Sequence, residues 1–138
     1  MDEMCSLMGG RAAEEIINGE PASGALSDLE RLTGIAYSMV QYYGMSDAVG
    51  PLSFYDSTGA RGYDFNKPYS EKTAELMDKE VKKIVEEVHA KTLRILRDNR
   101  EGFDKVAQLL LEKEVIFAED IEAVLGPKVT PEPAPANE

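Results

Sequence analysis

SGALSDLERLTGIAYSMVQYYGM, residues 23–45, decides the fold class. Leu29, Leu32, Ile35, Ala36, Met39, Val40 and Tyr43 recur at the three- and four-residue spacing of one helical face. At roughly 100° per residue, Glu30, Tyr37 and Gln41 fall on the opposite side. The stretch therefore predicts one amphipathic helix, ending near Gly44. Asp28 breaks the pattern. It lies one turn before Leu32 and two before Ile35, which places a carboxylate on the side expected to be buried. A buried carboxylate costs several kcal/mol unless it is paired or hydrogen-bonded.

Two readings of Asp28 stand open on residue chemistry. Ser27 and Glu30 have the S-x-x-E spacing of a capping box, which makes Asp28 a first-turn acid favoured by the helix dipole. Alternatively Ser23 is the cap, Asp28 falls in the second turn, and its carboxylate serves a ligand or a buried pair.

Outward from this helix the chain reads as more helices. Residues 1–18 put Met1, Met4, Cys5, Met8, Ala12 and Ile16 on one face, with Gly19 as a stop. Gly9-Gly10 inside that helix costs about 1 kcal/mol per glycine relative to alanine, which predicts close packing against another element. Helical register from the first residue, without a cap, gives the expectation of a chain cut from something longer. Residues 46–68 lose all periodicity and carry turn chemistry at Gly50-Pro51, Gly59, Gly62 and Lys67-Pro68. Such a long irregular loop reads either as a flap beside a substrate path or as a surface excursion. Ser70 caps a long helix to about Asp98, whose buried face holds Met77, Val81, Ile84, Val85, Val88, Ile95 and Leu96. His89 lies on its flank without a local partner. A helix through Phe103, Val106, Ala107, Leu110 and Leu111 follows, with core packing as its expected role. A last helix runs from Ala118 to Leu125 and stops at Gly126-Pro127. The fold class is all-α, a bundle of about five helices. The Pro-rich acidic tail, 128–138, is expected to be disordered.

Composition narrows the function. Hydrophobic residues at 43% and charged residues at 30% of 138 are a globular balance, enough for one domain with a core. The net charge of −11 repels phosphate, so nucleic acid and anionic lipid are poor partners. No apolar run reaches the ~18–20 residues of a membrane span. Cys5 is the only cysteine, so no disulfide forms within the chain, and its methionine neighbours mark it as a small core residue. There is no phosphate-binding loop, no dinucleotide fingerprint, no EF-hand and no nucleophile elbow. One His and one Cys cannot build a zinc cage. No self-contained active site is present.

Four segments carry a resemblance: MGGRAAEEIINGE, SGALSDLERLTGIAYSMVQYYGMSDAVGPL, KPYSEKTAELMDKEV and VAQLLLEKEVI. Over residues 1–127 the chain is similar to the C-terminal part of the peptidase domain of FtsH-type ATP-dependent zinc metalloproteases. The resemblance implies a hexamer anchored in a bacterial inner or organellar membrane, with this domain on the cytoplasmic, matrix or stromal side. It implies ATP and Mg2+ on an ATPase module outside these residues, and protein or peptide substrates, unfolded or membrane-embedded. It also implies a Zn2+ held by two histidines of an H-E-x-x-H helix and one aspartate further along, which by motif is Asp28. Glu14 and Glu15 belong to the same pattern. Either one of them orients a zinc ligand, or they are surface acids or partners of Arg11. The H-E-x-x-H helix itself is absent from these residues. The expectation is therefore an inactive chain on its own, with no zinc bound and no catalytic residue of its own. The competing expectation is a non-catalytic helical oligomerisation module that keeps the fold alone.

Overall fold

The computed structural model describes residues 1–21, 23–55 and 67–129. Among the described residues five α-helices follow in order: α1 (Asp2–Asn18), α2 (Leu26–Gln41), α3 (Glu71–Asp98), α4 (Arg100–Lys113) and α5 (Ala118–Leu125), with a 3-10 turn, Ser23–Ala25, leading into α2. The architecture is all-α. The chain divides into two compact units, Met1–Ile95 and Leu96–Glu138.

In the first unit α1, α2 and most of α3 enclose one core. Met4, Met8, Leu32, Ala36, Val40, Met77, Val81 and Val88 are buried together, and Cys5, Leu29, Ile35, Ile84 and Val85 pack around them. The positions are those that the helical periodicity selects. Three expected core positions differ, the first being Met1, 51% exposed. Ile95 is 44% exposed and Tyr43 is 72% exposed. Tyr43 is exposed because α2 ends two residues earlier, at Gln41. Tyr37, on the side expected to be polar, packs against the core and donates its hydroxyl to Asp78 at 2.8 Å. That hydrogen bond, with burial and the charge of Asp78 adding to it, holds the phenol above its usual pKa.

The helix ends follow local chemistry. Gly19 adopts the left-handed conformation, φ 79°, and its N–H donates to Glu15 O, closing α1. Past the end of α2, Met45 N–H donates back to Met39 O at 3.0 Å across Gly44, φ 59°. This bond, reaching back six residues, occupies a carbonyl that the helix end leaves open. A Cβ on Gly44 would lie 2.9 Å from Pro51 Cα, a backbone atom that cannot swing aside. Gly44→Ala is therefore expected to cost at least the ~1–2 kcal/mol of a left-handed non-glycine residue. A shift of the urea midpoint measures it, and a change under about 0.5 kcal/mol would contradict the geometry. At α3, Ser70 Oγ accepts the Thr73 N–H at 3.2 Å, the expected cap.

Gly9 and Gly10 do not make the close approach expected of them. A Cβ on either would meet nothing within 4 Å. Their cost to the helix thus has no compensating contact among the described residues.

Next comes Ser46, 4% exposed; its hydroxyl donates to Glu80 Oε2 at 2.7 Å and accepts from Val49 N–H. Residues 51–55 lie against the end of α2, where Phe54 N–H donates to Gln41 O at 2.7 Å. Phe54 also meets Tyr69 edge to face, with ring centres 5.2 Å apart. The middle of the irregular stretch, 56–66, lies outside the described residues, and that part of the flap reading of 46–68 with it. So does most of the acidic tail, 130–138.

In the second unit α4 and α5 form an antiparallel hairpin. Lys113 Nζ pairs with Asp120 Oδ1 at 2.7 Å near the turn, and Leu125 returns to pack on Gly102. Asp120 Oδ2 accepts the Phe117 N–H and so closes the start of α5. The bond to Lys113 comes first, and that to Phe117 second, in holding the Asp120 carboxyl below its usual pKa. Core packing was expected for Leu110 and Leu111, yet they are 46% and 83% exposed. Consecutive helical residues point about 100° apart, so a single neighbouring helix cannot cover them all.

Candidate functional site

Asp28 is the third residue of α2 and sits in its first turn. Ser27 is already inside the helix, so it does not cap it. The helical run begins instead with the 3-10 turn at Ser23, which sets a full turn before Asp28. The expected burial is not found: Asp28 is exposed. Leu26 is 72% exposed and Ser27 is exposed as well, so the opening turn of α2 lies bare. Burial begins with Leu29 and is complete at Leu32. Asp28 therefore shares the angular position of the core residues but lies before the point where neighbouring helices cover α2. Its carboxylate makes no hydrogen bond or ion pair among the described residues. A narrow crevice lined by Leu7, Met8, Arg11, Leu29 and Leu32 opens between α1 and α2, next in sequence to Asp28.

The other candidates sit on α1. Glu14 and Glu15 are both half-buried. Glu15 pairs with His89 of α3, Oε2 to Nε2 at 2.8 Å, and not with Arg11. Since a carboxylate only accepts, Nε2–H of His89 is the donor. This partner lies 74 residues away in sequence, which is why no local pattern announces it. Cys5 is half-buried against the core, as expected of a small apolar residue.

No three His, Cys, Asp or Glu side chains converge on a possible metal position among the described residues. Zinc accepts a carboxylate oxygen as one of four ligands. An exposed, unpaired carboxylate on a helix fits that part. The remaining ligands are not supplied by the described residues. Nor is any helix among them long and apolar enough to cross a membrane.

Comparison with known proteins gives the family. Residues 1–124 match the model of peptidase family M41. An ATP-dependent zinc metalloprotease FtsH of Parabacteroides distasonis is 54% identical over 125 residues, which are 91% of this chain and 18% of that protein. The corresponding FtsH of Rhodothermus marinus is 46% identical over 130 residues, 93% of this chain and 18% of that protein. A mitochondrial ATP-dependent zinc metalloprotease, FTSH 3 of Arabidopsis thaliana, is 42% identical over 91% of this chain and 15% of its own length. The chain thus spans less than a fifth of the length of these relatives. The family match runs from the first residue of the three-helix core into α5, and on that extent the chain belongs to peptidase family M41.

Proposed function

We propose that these residues form the C-terminal part of the peptidase domain of an ATP-dependent, membrane-anchored zinc metalloendopeptidase. Residues 1–127 are that part, and 128–138 are an appended acidic tail. Family membership across 1–124 is the observation that supports this reading. In it, Asp28 contributes one carboxylate ligand, and two histidines and a glutamate come from an H-E-x-x-H helix outside these residues. Zinc, when bound, supplies the Lewis acidity that polarises a scissile carbonyl. The contribution of this chain is to hold Asp28 at the exposed start of α2, backed by the packed residues from Leu32 onward. Unfolded or membrane proteins are the substrates, and the working form is a hexamer with ATP and Mg2+ bound on its ATPase module. The domain faces the cytoplasm, or the matrix or stroma of an organelle.

The 138 residues alone are expected to bind no stoichiometric zinc and to leave an unfolded casein substrate intact. The same residues joined to their H-E-x-x-H helix and ATPase module are expected to hold one zinc per chain and to degrade casein only with ATP. Zinc and ATP-dependent cleavage both missing from the joined protein would overturn the proposal and favour a non-catalytic oligomerisation module.

A further inference from the structure

The pair Glu15–His89 occupies a position that packing alone does not explain. Along α1, Asp2 and Glu15 are 13 residues apart, roughly 20 Å at 1.5 Å per residue. On α3 their partners, Lys91 and His89, are only two residues apart, roughly 3 Å along the axis and 200° around it. Helix α1 therefore crosses α3 steeply and is tied on both flanks. Met8 of α1 and Val88 of α3 belong to the same buried cluster. The tie through Asp2 is weak, because that side chain is 92% exposed. The tie through Glu15 is shorter and about two-thirds shielded on both sides.

Glu15 also ends its helix: its carbonyl accepts the N–H of left-handed Gly19 at 3.0 Å. One residue thus binds α3 with its side chain and fixes the exit of α1 with its backbone. The chain then passes through a short connection to α2. The opening of α2 is bare, with Leu26, Ser27 and Asp28 all exposed; beyond it Leu29 packs on the core and Arg31 pairs with the exposed Glu3 of α1 at 3.0 Å. We propose that His89, acting through Glu15, is the pin that fixes the exit of α1 and so the place where α2 presents Asp28. His89 is a positioning residue and touches no reacting atom. Its bearing on zinc rests on the function proposed above, while the pin itself does not.

The test reads amide hydrogen exchange of the 138-residue chain and, in the protein joined to its H-E-x-x-H helix, zinc affinity by chelator competition. His89→Ala is expected to speed exchange at Gly19 and at residues 23–28 about tenfold, the scale of one hydrogen bond to a charged group, and to leave Val40 and Val88 unchanged. His89→Gln places an amide N–H where Nε2–H stood, and is expected to restore parental exchange. Should His89→Ala fail to fold, Glu15→Ala removes the other partner and gives the same reading. No acceleration, or equal acceleration throughout the three helices, would overturn the pin. Zinc is expected to bind about tenfold more weakly in His89→Ala and as the parent does in His89→Gln. Zinc lost in Asp28→Asn but unchanged in His89→Ala would overturn the positioning role. Zinc unchanged in Asp28→Asn would instead overturn the proposed ligand, and the pin would then stand on the exchange pattern alone.

Discussion

Leu32→Ala is expected to destabilise the three-helix unit by about 2–5 kcal/mol, the range for deleting a fully buried leucine side chain. Leu32 is 0% exposed and belongs to the same cluster as Met4, Met8, Ala36 and Met77. The loss combines the transfer free energy of the deleted carbons with the cavity left where the three helices meet. The three buried methionines of the cluster can shift to fill part of that space, which favours the lower half of the range. Against a total stability of about 5–15 kcal/mol for a typical domain, this is a large fraction. Leu111→Ala in α4 is the control. That side chain is 83% exposed, so its removal is expected to stay within about 0.5 kcal/mol. Urea titration followed by circular dichroism reads both. A Leu32→Ala loss below about 1 kcal/mol would mean that the core is not closed as described.

The helices were legible because their signals are local. Periodicity selected Met4, Met8, Leu32, Ala36, Val40, Met77, Val81 and Val88 before any packing was known. Ser70, Gly19 and Gly126 announced helix ends through cap and left-handed chemistry. What stayed hidden depends on where neighbouring elements stop. Asp28 has the angular phase of the core, yet phase does not reveal how far along α2 the cover reaches, and the first turn is bare. Gly9-Gly10 suggested a close approach, and the described residues leave that surface open. Leu110 and Leu111 read as core, but an α4–α5 hairpin offers α4 only one covered side. The partner of His89 lies on another helix, and no spacing rule reaches it. The proposed ligand role of Asp28 rests on resemblance, because a single carboxylate has no signature of its own.

Asp28→Asn is the most direct test of the proposed zinc ligand. The side chain is exposed and makes no hydrogen bond among the described residues, so the isosteric amide should leave the fold intact. Only the favourable first-turn charge is lost, worth at most about 1 kcal/mol. Zinc affinity should respond far more strongly, since removing a ligand costs more than the about 10–100-fold lost when a supporting residue is changed. The measurement is zinc content and chelator-competition affinity of the protein joined to its H-E-x-x-H helix, with Asp or Asn at position 28. One zinc per chain is expected in the parent, with an affinity weakened more than about 100-fold in the variant. Equal zinc affinity in the two proteins would contradict that ligand role and leave Asp28 as a first-turn acid serving the helix dipole.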